Sequence, residues 1–231
     1  MTDRHNASRR RFLAASGGIA ALAAPGLAQA VPRAGTERPL PPLVGRSSET
    51  LLPRGKARRV VICGGGWGGI TAARYLRQQV PHLEVVLLER NQNFFSCPMS
   101  NKWLVDVVDT QYLTKDYLKV SEELGYRFIQ TEILEIERGT KRVVTAAGAL
   151  DYDYLILSPG IRYNYEAWFG NDRRAAEATR ARFPAAYIPS AEHFHLKQAI
   201  HDFKGGDLVM TLPPPPQRCP PSPYERACLI A

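Results

Sequence analysis

Three glycines and an acidic residue follow one another in the order and spacing of a site that binds a dinucleotide. Gly64, Gly66 and Gly69 come directly after the apolar run 60–63, and Glu89 ends a second apolar run. In this pattern the first glycine makes a tight turn and the second lets the backbone approach a pyrophosphate. The third lets a helix pack closely on a strand. The carboxylate of Glu89 would accept hydrogen bonds from ribose hydroxyls.

The residues around these four must form a strand, a turn, a helix and a second strand for the site to exist. The helix after the turn would then direct its unpaired N–H groups at the phosphates. A glycine-rich turn with a purely structural role is the alternative interpretation, but the flanking strand, helix and acid favour the nucleotide site. Three further residues of this stretch are assigned to the same cofactor site, namely Trp67, Gly68 and Arg90.

The first 30 residues are predicted to be a targeting segment. Three arginines at 9–11 precede a weakly apolar run and a small-residue site that ends at Ala30, which resembles a twin-arginine leader. A membrane anchor is the alternative, but the apolar run is short for a bilayer span and contains glycines and a proline. We therefore expect export to the periplasm and no stable membrane insertion.

The net charge of +8 is confined to the leader and the segment after it. Residues 1–30 carry +3 and residues 31–59 carry +5, so the remaining part of the chain is neutral. A nucleic-acid partner loses its main support for this reason. The stretch 31–57 is rich in proline and arginine and is predicted to be a linker.

The periodicity beyond residue 58 predicts an α/β fold. Helices are predicted over 70–80, 114–124 (with Thr114 as its cap) and 192–203. A loop is predicted over 91–101, and strands over 60–63, 85–89, 126–130, 131–138, 142–145, 155–157 and 207–212. The strand 207–212 would open a second nucleotide-type domain, but Pro213–Pro216 follow it where a glycine loop is expected. Prolines lack the N–H groups that hold a phosphate, so we expect this domain not to bind NAD(P)H.

Four segments together resemble the flavoprotein subunit of flavocytochrome c sulfide dehydrogenase, a periplasmic member of the two-dinucleotide-domain disulfide oxidoreductases. They are 63–74, 93–102, 154–160 and 219–227, and the last, Cys-Pro-Pro-Ser-Pro-Tyr-Glu-Arg-Ala, is the most specific. The resemblance runs from about residue 58 to the end. It implies a Rossmann-like FAD-binding domain over 58–190, incomplete, and the truncated start of a second α/β domain over 191–231.

The resemblance also implies roles for individual residues. Cys97 matches a cysteine joined covalently to the flavin, and Cys219 matches one half of a redox-active disulfide whose partner lies beyond this chain. Glu225 is a candidate acid or base beside Cys219. The FAD contacts that are implied are Gly64, Gly66, Gly69, Glu89, Ile133, Ser158, Pro159 and Gly160.

Each cysteine also has a simpler interpretation. Cys63 ends a buried strand and is expected to be a small core residue. Cys97 could be an ordinary loop thiol, and Cys219 could form a structural disulfide with Cys228.

The function implied is the oxidation of sulfide through a disulfide and FAD, with electrons passed to a c-type cytochrome. The haem would sit on that partner, because the sequence contains no Cys-x-x-Cys-His motif. We predict no metal site. The alternatives are a sulfide:quinone-type or other FAD/NAD(P) disulfide oxidoreductase, or an inactive remnant. Sulfide, polysulfide and small thiols all suit the same disulfide chemistry.

Overall fold

The computed structural model describes residues 49–212 and 219–231, and the fold is that of these residues. The strands of this part are β1 (Arg59–Cys63), β2 (Glu84–Glu89), β3 (Asn93–Phe95), β4 (Thr114–Asp116), β5 (Arg127–Gln130), β6 (Ile133–Glu137), β7 (Arg142–Thr145), β8 (Gly148–Asp151) and β9 (Tyr154–Leu157). The helices are α1 (Trp67–Gln79), α2 (Ser100–Leu104), α3 (Thr110–Leu113), α4 (Tyr117–Leu124), α5 (Glu166–Phe169), α6 (Arg173–Arg182), α7 (Ala191–Asp202) and α8 (Ser222–Ile230).

A parallel sheet of four strands, in the order β5-β2-β1-β9, forms the central layer. Every residue of β1 is buried, as expected for a parallel strand that is covered on both faces. The alternation of side chains along β1 divides the core into two layers. Val60 and Ile62 pack with α1, whereas Val61 and Cys63 pack with the antiparallel sheet β6-β7-β8. The α/β fold class is thereby confirmed.

A third apolar cluster lies apart from the sheet, where α2, α3 and α7 meet. Trp103, Leu104 and Leu113 are almost fully buried there, and Leu196 and Ile200 of α7 pack against them. This cluster fixes the segment that follows β3, which contains Cys97.

The prediction for 91–124 was wrong in three details. The expected loop contains β3 and the first residues of α2, because Phe94 and Phe95 pack inward as a short strand paired with β4. The expected helix 114–124 begins only at Tyr117, and Asp116 caps it by accepting a hydrogen bond from the Lys119 N–H. The antiparallel partner of β3, the strand β4, takes the three residues that precede Tyr117.

The prediction of a strand over 207–212 was also wrong. This stretch has no regular secondary structure, and Val209 is 82% exposed. A strand requires a neighbouring strand for its hydrogen bonds, and no described strand pairs with it. The helix predicted over 192–203 is confirmed as α7, with Ser190 as its cap. The run Pro213–Pro216 lies outside the described residues.

The sequence patterns missed β8 and α6. The first is a four-residue strand with one glycine, too short to show alternation. The second has the sequence Arg-Arg-Ala-Ala-Glu-Ala-Thr-Arg-Ala-Arg, which contains no apolar stripe, and none of its residues is buried. Asp172 caps this helix by accepting a hydrogen bond from the Ala175 N–H.

Arg59 holds the segment that precedes β1 against the end of the sheet at which β1 and β2 begin. Its side chain is fully buried, and its Nε donates to Glu84 Oε2 at 2.8 Å. Its terminal nitrogens donate to the carbonyls of Leu52, Pro53 and Asp151. A buried guanidinium of this kind leaves several polar groups unsatisfied when it is removed.

Replacing Arg59 by methionine is expected to lower the free energy of unfolding by about 3 kcal/mol, because Glu84 and three carbonyls lose their donor. Arg127→Met is the matched control, since Arg127 also faces Glu84 but is 63% exposed. The control should change stability by less than about 0.5 kcal/mol. Urea denaturation measures both. Equal losses in the two variants would contradict the role given to burial.

Candidate functional site

The glycine turn after β1 is packed backbone against backbone. A Cβ atom on Gly64 would lie 2.1 Å from the carbonyl oxygen of Ser158, and one on Gly69 would lie 1.9 Å from the carbonyl oxygen of Gly64. The φ angle of Gly64 is +104°, which glycine adopts without strain. Only glycine fits at these two positions, so the turn brings α1 directly against the ends of β1 and β9.

Gly66 differs from its neighbours because the space beside its Cα is open. Apart from Gly66 itself and its two chain neighbours, no described residue has an atom within 4 Å of the position that the Cβ would take, and Gly66 is the last residue before α1. No side chain caps α1, and no acidic residue occupies its first turn. The N–H groups of that turn are therefore free to hold an anion. These residues fit the pyrophosphate of a dinucleotide.

Glu89 lies at the end of β2 beside the turn, as predicted. Its Oε2 accepts a hydrogen bond from the Gly65 N–H at 2.8 Å, and its Oε1 accepts from the N–H and the side-chain amide of Asn91. A carboxylate has about four acceptor positions, so one remains for a ribose hydroxyl. Arg90 is exposed, and its carbonyl accepts from the Gln130 amide. Ile133 begins β6 and packs against the core cluster that contains Cys63 and Leu88.

The turn at 158–160 completes this edge of the sheet. The Ser158 N–H donates to the carbonyl of Cys63 at 2.8 Å, which continues the pairing of β9 with β1. A Cβ on Gly68 would lie 2.6 Å from the Ser158 Oγ, so this turn covers the start of α1. Pro159 and Gly160 are exposed beyond it. The structure brings the predicted cofactor residues of this turn and of the glycine turn together.

Tyr117 packs against the glycine turn and bonds to it, a role that the sequence patterns did not indicate. Its hydroxyl donates to the carbonyl of Gly65 at 2.6 Å, and burial raises its pKa, with the nearby Glu89 charge adding to the effect. Phe94 packs edge-on against both Tyr117 and Trp67. Trp67 is itself 57% exposed. These rings connect the glycine turn to β3 and so to the segment that contains Cys97.

Cys97 lies between β3 and α2 and is half-buried. Burial raises the pKa of its thiol, while a hydrogen bond with the Ser100 side chain and the positive charge of Arg226 lower it. The carbonyl of Cys97 accepts from the Ser100 N–H at 2.9 Å. Met99 has a φ of +72°, so the backbone turns sharply between the thiol and the helix.

Cys219 is brought to the same region by α8. It is exposed and has a φ of +55° just before the helix, and its charge raises the pKa of Cys97. The side-chain amide of Asn101 in α2 donates to Ser222 Oγ at 3.2 Å and to Glu225 Oε2 at 2.8 Å. Its oxygen accepts from Arg226 Nε at 2.9 Å. We call Asn101, Ser222, Glu225 and Arg226 the Asn101 clamp, because they hold α8 against α2.

All four cysteines lie in the described part of the chain, and each is a free thiol. Cys63 is 5% exposed, and burial raises its pKa to about 11, which confirms its interpretation as a core residue. The alternative disulfide between Cys219 and Cys228 is absent from the structure. A redox disulfide between Cys219 and a cysteine outside this chain stays a prediction.

His193 of α7 is fully buried beside the same segment. Its ring packs against Phe95 with centroids 5.2 Å apart. Burial, together with the charge of Arg226, lowers its pKa to about 4. The carbonyl of Ile188 opposes this shift, although neither ring nitrogen makes a hydrogen bond of good geometry. His193 is therefore neutral at physiological pH.

Sequence reasoning singled out Glu225 but missed Asn101, Arg226 and His193. Asn101 and Arg226 both lie inside the segments that carry the resemblance, at 93–102 and 219–227, so their position in those segments was the available signal. His193 gave no signal, because one histidine in an amphipathic helix is more often a core residue. Among residues 49–212 and 219–231, no group of three or more His, Cys, Asp or Glu side chains could hold a metal ion.

Two family profiles match parts of this chain. The profile described as pyridine nucleotide-disulphide oxidoreductase matches residues 58–199, which contain the glycine turn, Glu89 and Cys97. This chain belongs to the pyridine nucleotide-disulphide oxidoreductases. The family normally binds FAD. A second profile, the central part of the sulfide dehydrogenase [flavocytochrome c] flavoprotein chain, matches residues 194–231 of this oxidoreductase.

Two relatives that are similar to this chain are named as enzymes that act on sulfide. The mitochondrial sulfide:quinone oxidoreductase of Mus musculus is 25% identical over 173 residues, which are 72% of this chain and 36% of the relative. The sulfide dehydrogenase [flavocytochrome c] flavoprotein chain of Chlorobaculum thiosulfatiphilum is 48% identical over 44 residues, 19% of this chain and 92% of that sequence. The oxidoreductase thus spans about a third of the mouse relative's length.

One solved structure supports the fold. Reduced CoADR-RHD of Bacillus anthracis superposes with a TM-score of 0.51 and 20% sequence identity, over 65% of this chain and 28% of that one. At this identity the match concerns the fold alone. In the described part of the oxidoreductase, no helix has the length and apolar character needed to cross a bilayer.

Two glycine variants separate packing from cofactor binding. Gly66→Ala should fold with a loss of less than about 1 kcal/mol, because the added methyl meets open space. It should weaken FAD binding, because the methyl stands where the pyrophosphate approaches. Gly64→Ala is the contrasting variant and should lose several-fold more stability, since its Cβ would overlap the Ser158 carbonyl. Thermal unfolding and a flavin-fluorescence titration measure the two effects. Unchanged FAD affinity in Gly66→Ala would place the cofactor elsewhere.

The lowered pKa of His193 predicts that the folded state loses stability at acidic pH. Above the unfolded-state pKa of about 6.5 both states are neutral at this residue, and its protonation has no effect. As the pH falls from there to about 4, the unfolded state binds a proton that the folded state does not, so stability decreases by about 3 kcal/mol. His193→Phe should remove this part of the acid sensitivity, as measured by urea unfolding at several pH values. His195→Phe, at an exposed position of the same helix, should retain it. The same pH profile in both variants would contradict the assignment.

Proposed function

We propose that this chain is the FAD-binding part of a sulfide dehydrogenase of the flavocytochrome c type, which oxidises sulfide and passes the electrons to a c-type cytochrome. The observation that carries the proposal is the meeting of Cys97 and Cys219. The Asn101 clamp holds together the two helices that follow these cysteines, and a Cys219 thiolate is near enough to raise the pKa of Cys97. The match of residues 194–231 to the central part of that flavoprotein supports the same function.

The residues of the glycine turn would hold FAD. The N–H groups of α1 and the open side of Gly66 would receive the pyrophosphate, and Glu89 would accept a ribose hydroxyl. Cys97 would join the flavin covalently, which keeps the cofactor in a compartment without a flavin supply. When bound, FAD supplies an acceptor for two electrons that can release them singly.

Cys219 would be the site of attack by sulfide. Hydrosulfide attacks one sulfur of a disulfide in which Cys219 takes part, so that a new S–S bond forms to the substrate and the other sulfur leaves as a thiolate. Cys219 is exposed, as this attack requires. Glu225 is a fitting proton acceptor for the incoming hydrosulfide, because its exposed carboxylate is held beside the start of α8 by Asn101.

The periplasm is the proposed location. The twin-arginine pattern in residues 1–30 supports it, although these residues lie outside the described part of the chain. Twin-arginine export suits a protein that folds around its cofactor before it crosses the membrane. An oxidising compartment would also preserve the disulfide that Cys219 needs.

A sulfide:quinone oxidoreductase is the second candidate. The similarity to the mouse sulfide:quinone oxidoreductase, which covers 72% of this chain, favours it. The two functions share the sulfur chemistry and differ in the electron acceptor. Comparing sulfide-dependent reduction of cytochrome c with reduction of a soluble quinone separates them.

Expression of the chain with its leader tests the flavin site directly. The wild-type protein should stay yellow after acid precipitation and gain the mass of FAD, because a thioether survives acid. Cys97→Ser should lose the acid-stable colour, whereas Cys63→Ser, at a buried core position, should keep it. Intact mass and visible absorption are the measurements. A wild-type chain without flavin mass, or acid-stable colour in Cys97→Ser, would contradict the covalent link.

A further inference from the structure

Arg226 is a buried cation without a carboxylate partner among the described residues. Arg226 is only 6% exposed. It donates to three neutral acceptors, namely Asn101 Oδ1 at 2.9 Å, the Ala185 carbonyl at 2.6 Å and the Ala186 carbonyl at 3.1 Å. The ring of Tyr187 lies 4.7 Å from the guanidinium carbon. The net positive charge is therefore not neutralised by these contacts.

A buried charge of this kind normally has a counter-charge nearby. Removing a guanidinium from water is costly, and neutral carbonyls offset only part of the cost. A guanidinium has five N–H groups, and three of them take part in the bonds above. Ala186, one of the acceptors, has a φ of +51°, a left-handed conformation that is uncommon for a residue other than glycine. Arg226 thus occupies a position that an anion would stabilise.

We propose that Arg226 is a positioning residue that supplies the counter-charge for a thiolate at Cys97. Asn101 connects the guanidinium to α2, the helix that begins three residues after Cys97. The first residue of α2, Ser100, bonds to Cys97 through its N–H. The inference deepens the proposed function, because the thiolate is the form of cysteine that bonds to an electrophile such as a flavin.

The other titratable groups that neighbouring elements place near Arg226 are neutral or already paired. From α7, His193 is neutral, and Lys197 is bound to Asp106 and to the Trp103 carbonyl. From α8, Glu225 is bound to Asn101, and the charge of Cys219 disfavours the thiolate at Cys97. The positive charge of Arg226 lowers that pKa and thereby opposes the effect of burial.

The test is the pH dependence of alkylation of Cys97. The full chain is used without flavin and with Cys219→Ser and Cys228→Ser, so that Cys97 is the accessible thiol and Cys63 stays buried. Iodoacetamide labelling at Cys97 is followed by mass spectrometry from neutral to alkaline pH. In Arg226→Met the midpoint should rise by about one pH unit, and labelling at neutral pH should slow about tenfold. Arg226→Lys should keep most of the rate, because it keeps the charge.

A second variant tests the same point while keeping the guanidinium. Asn101→Asp combined with Glu225→Gln places a carboxylate at the acceptor of Arg226 and so neutralises it, and labelling should slow as in Arg226→Met. Arg174→Met, at an exposed position of α6, is the control and should label like the parent chain. If Arg226→Met does not fold, the double variant decides. An unchanged midpoint in a folded Arg226→Met or double variant would overturn the inference. Because no flavin or sulfide is present, a failure of sulfide oxidation leaves this result unaffected.

Discussion

The close contact of three backbone segments at the carboxyl ends of β1 and β9 determines where everything else in the site can lie. Gly64 meets the Ser158 carbonyl and Gly69 meets the Gly64 carbonyl, at distances that no Cβ would permit. This contact aims the free N–H groups of α1 at the edge of the sheet. Glu89 then lies beside the turn because β2 pairs with β1 in parallel register, residue by residue. The geometry of the candidate nucleotide site is therefore a consequence of steric packing rather than of any single polar contact.

The segment that contains Cys97 is connected to the glycine turn through the aromatic rings of Trp67, Phe94 and Tyr117. These rings fix β3, and β3 fixes the chain that leads to Cys97. The Asn101 clamp adds Cys219 from the far end of the sequence, since it joins residues more than 120 positions apart. Three positive φ angles, at Met99, Ala186 and Cys219, occur around this clamp. Such strain is typical of functional sites, where surrounding contacts hold the backbone in sparsely populated conformations.

The sequence was sufficient to predict the parts of the fold that rest on local patterns. The strand, glycine turn, helix and second strand of the nucleotide site are confirmed, because glycine spacing and apolar runs encode them directly. The strand expected at 207–212 was wrong, since its apolar residues show only that a strand could form, and a strand also needs a partner. Asn101 and Arg226 could not be assigned from spacing, because their contact joins distant segments. The roles proposed for Cys97 and Cys219 rest on resemblance, and the structure adds that the Asn101 clamp joins the helices that follow them.

The most direct test of this account is a crystal structure of the exported chain with bound FAD. The account predicts that the pyrophosphate lies at the N-terminus of α1 beside Gly66, with the adenosine ribose at Glu89 and the flavin ring next to Cys97 on the side of Cys219. A flavin ring that lies away from Cys97, or a pyrophosphate bound elsewhere than at α1, would contradict it.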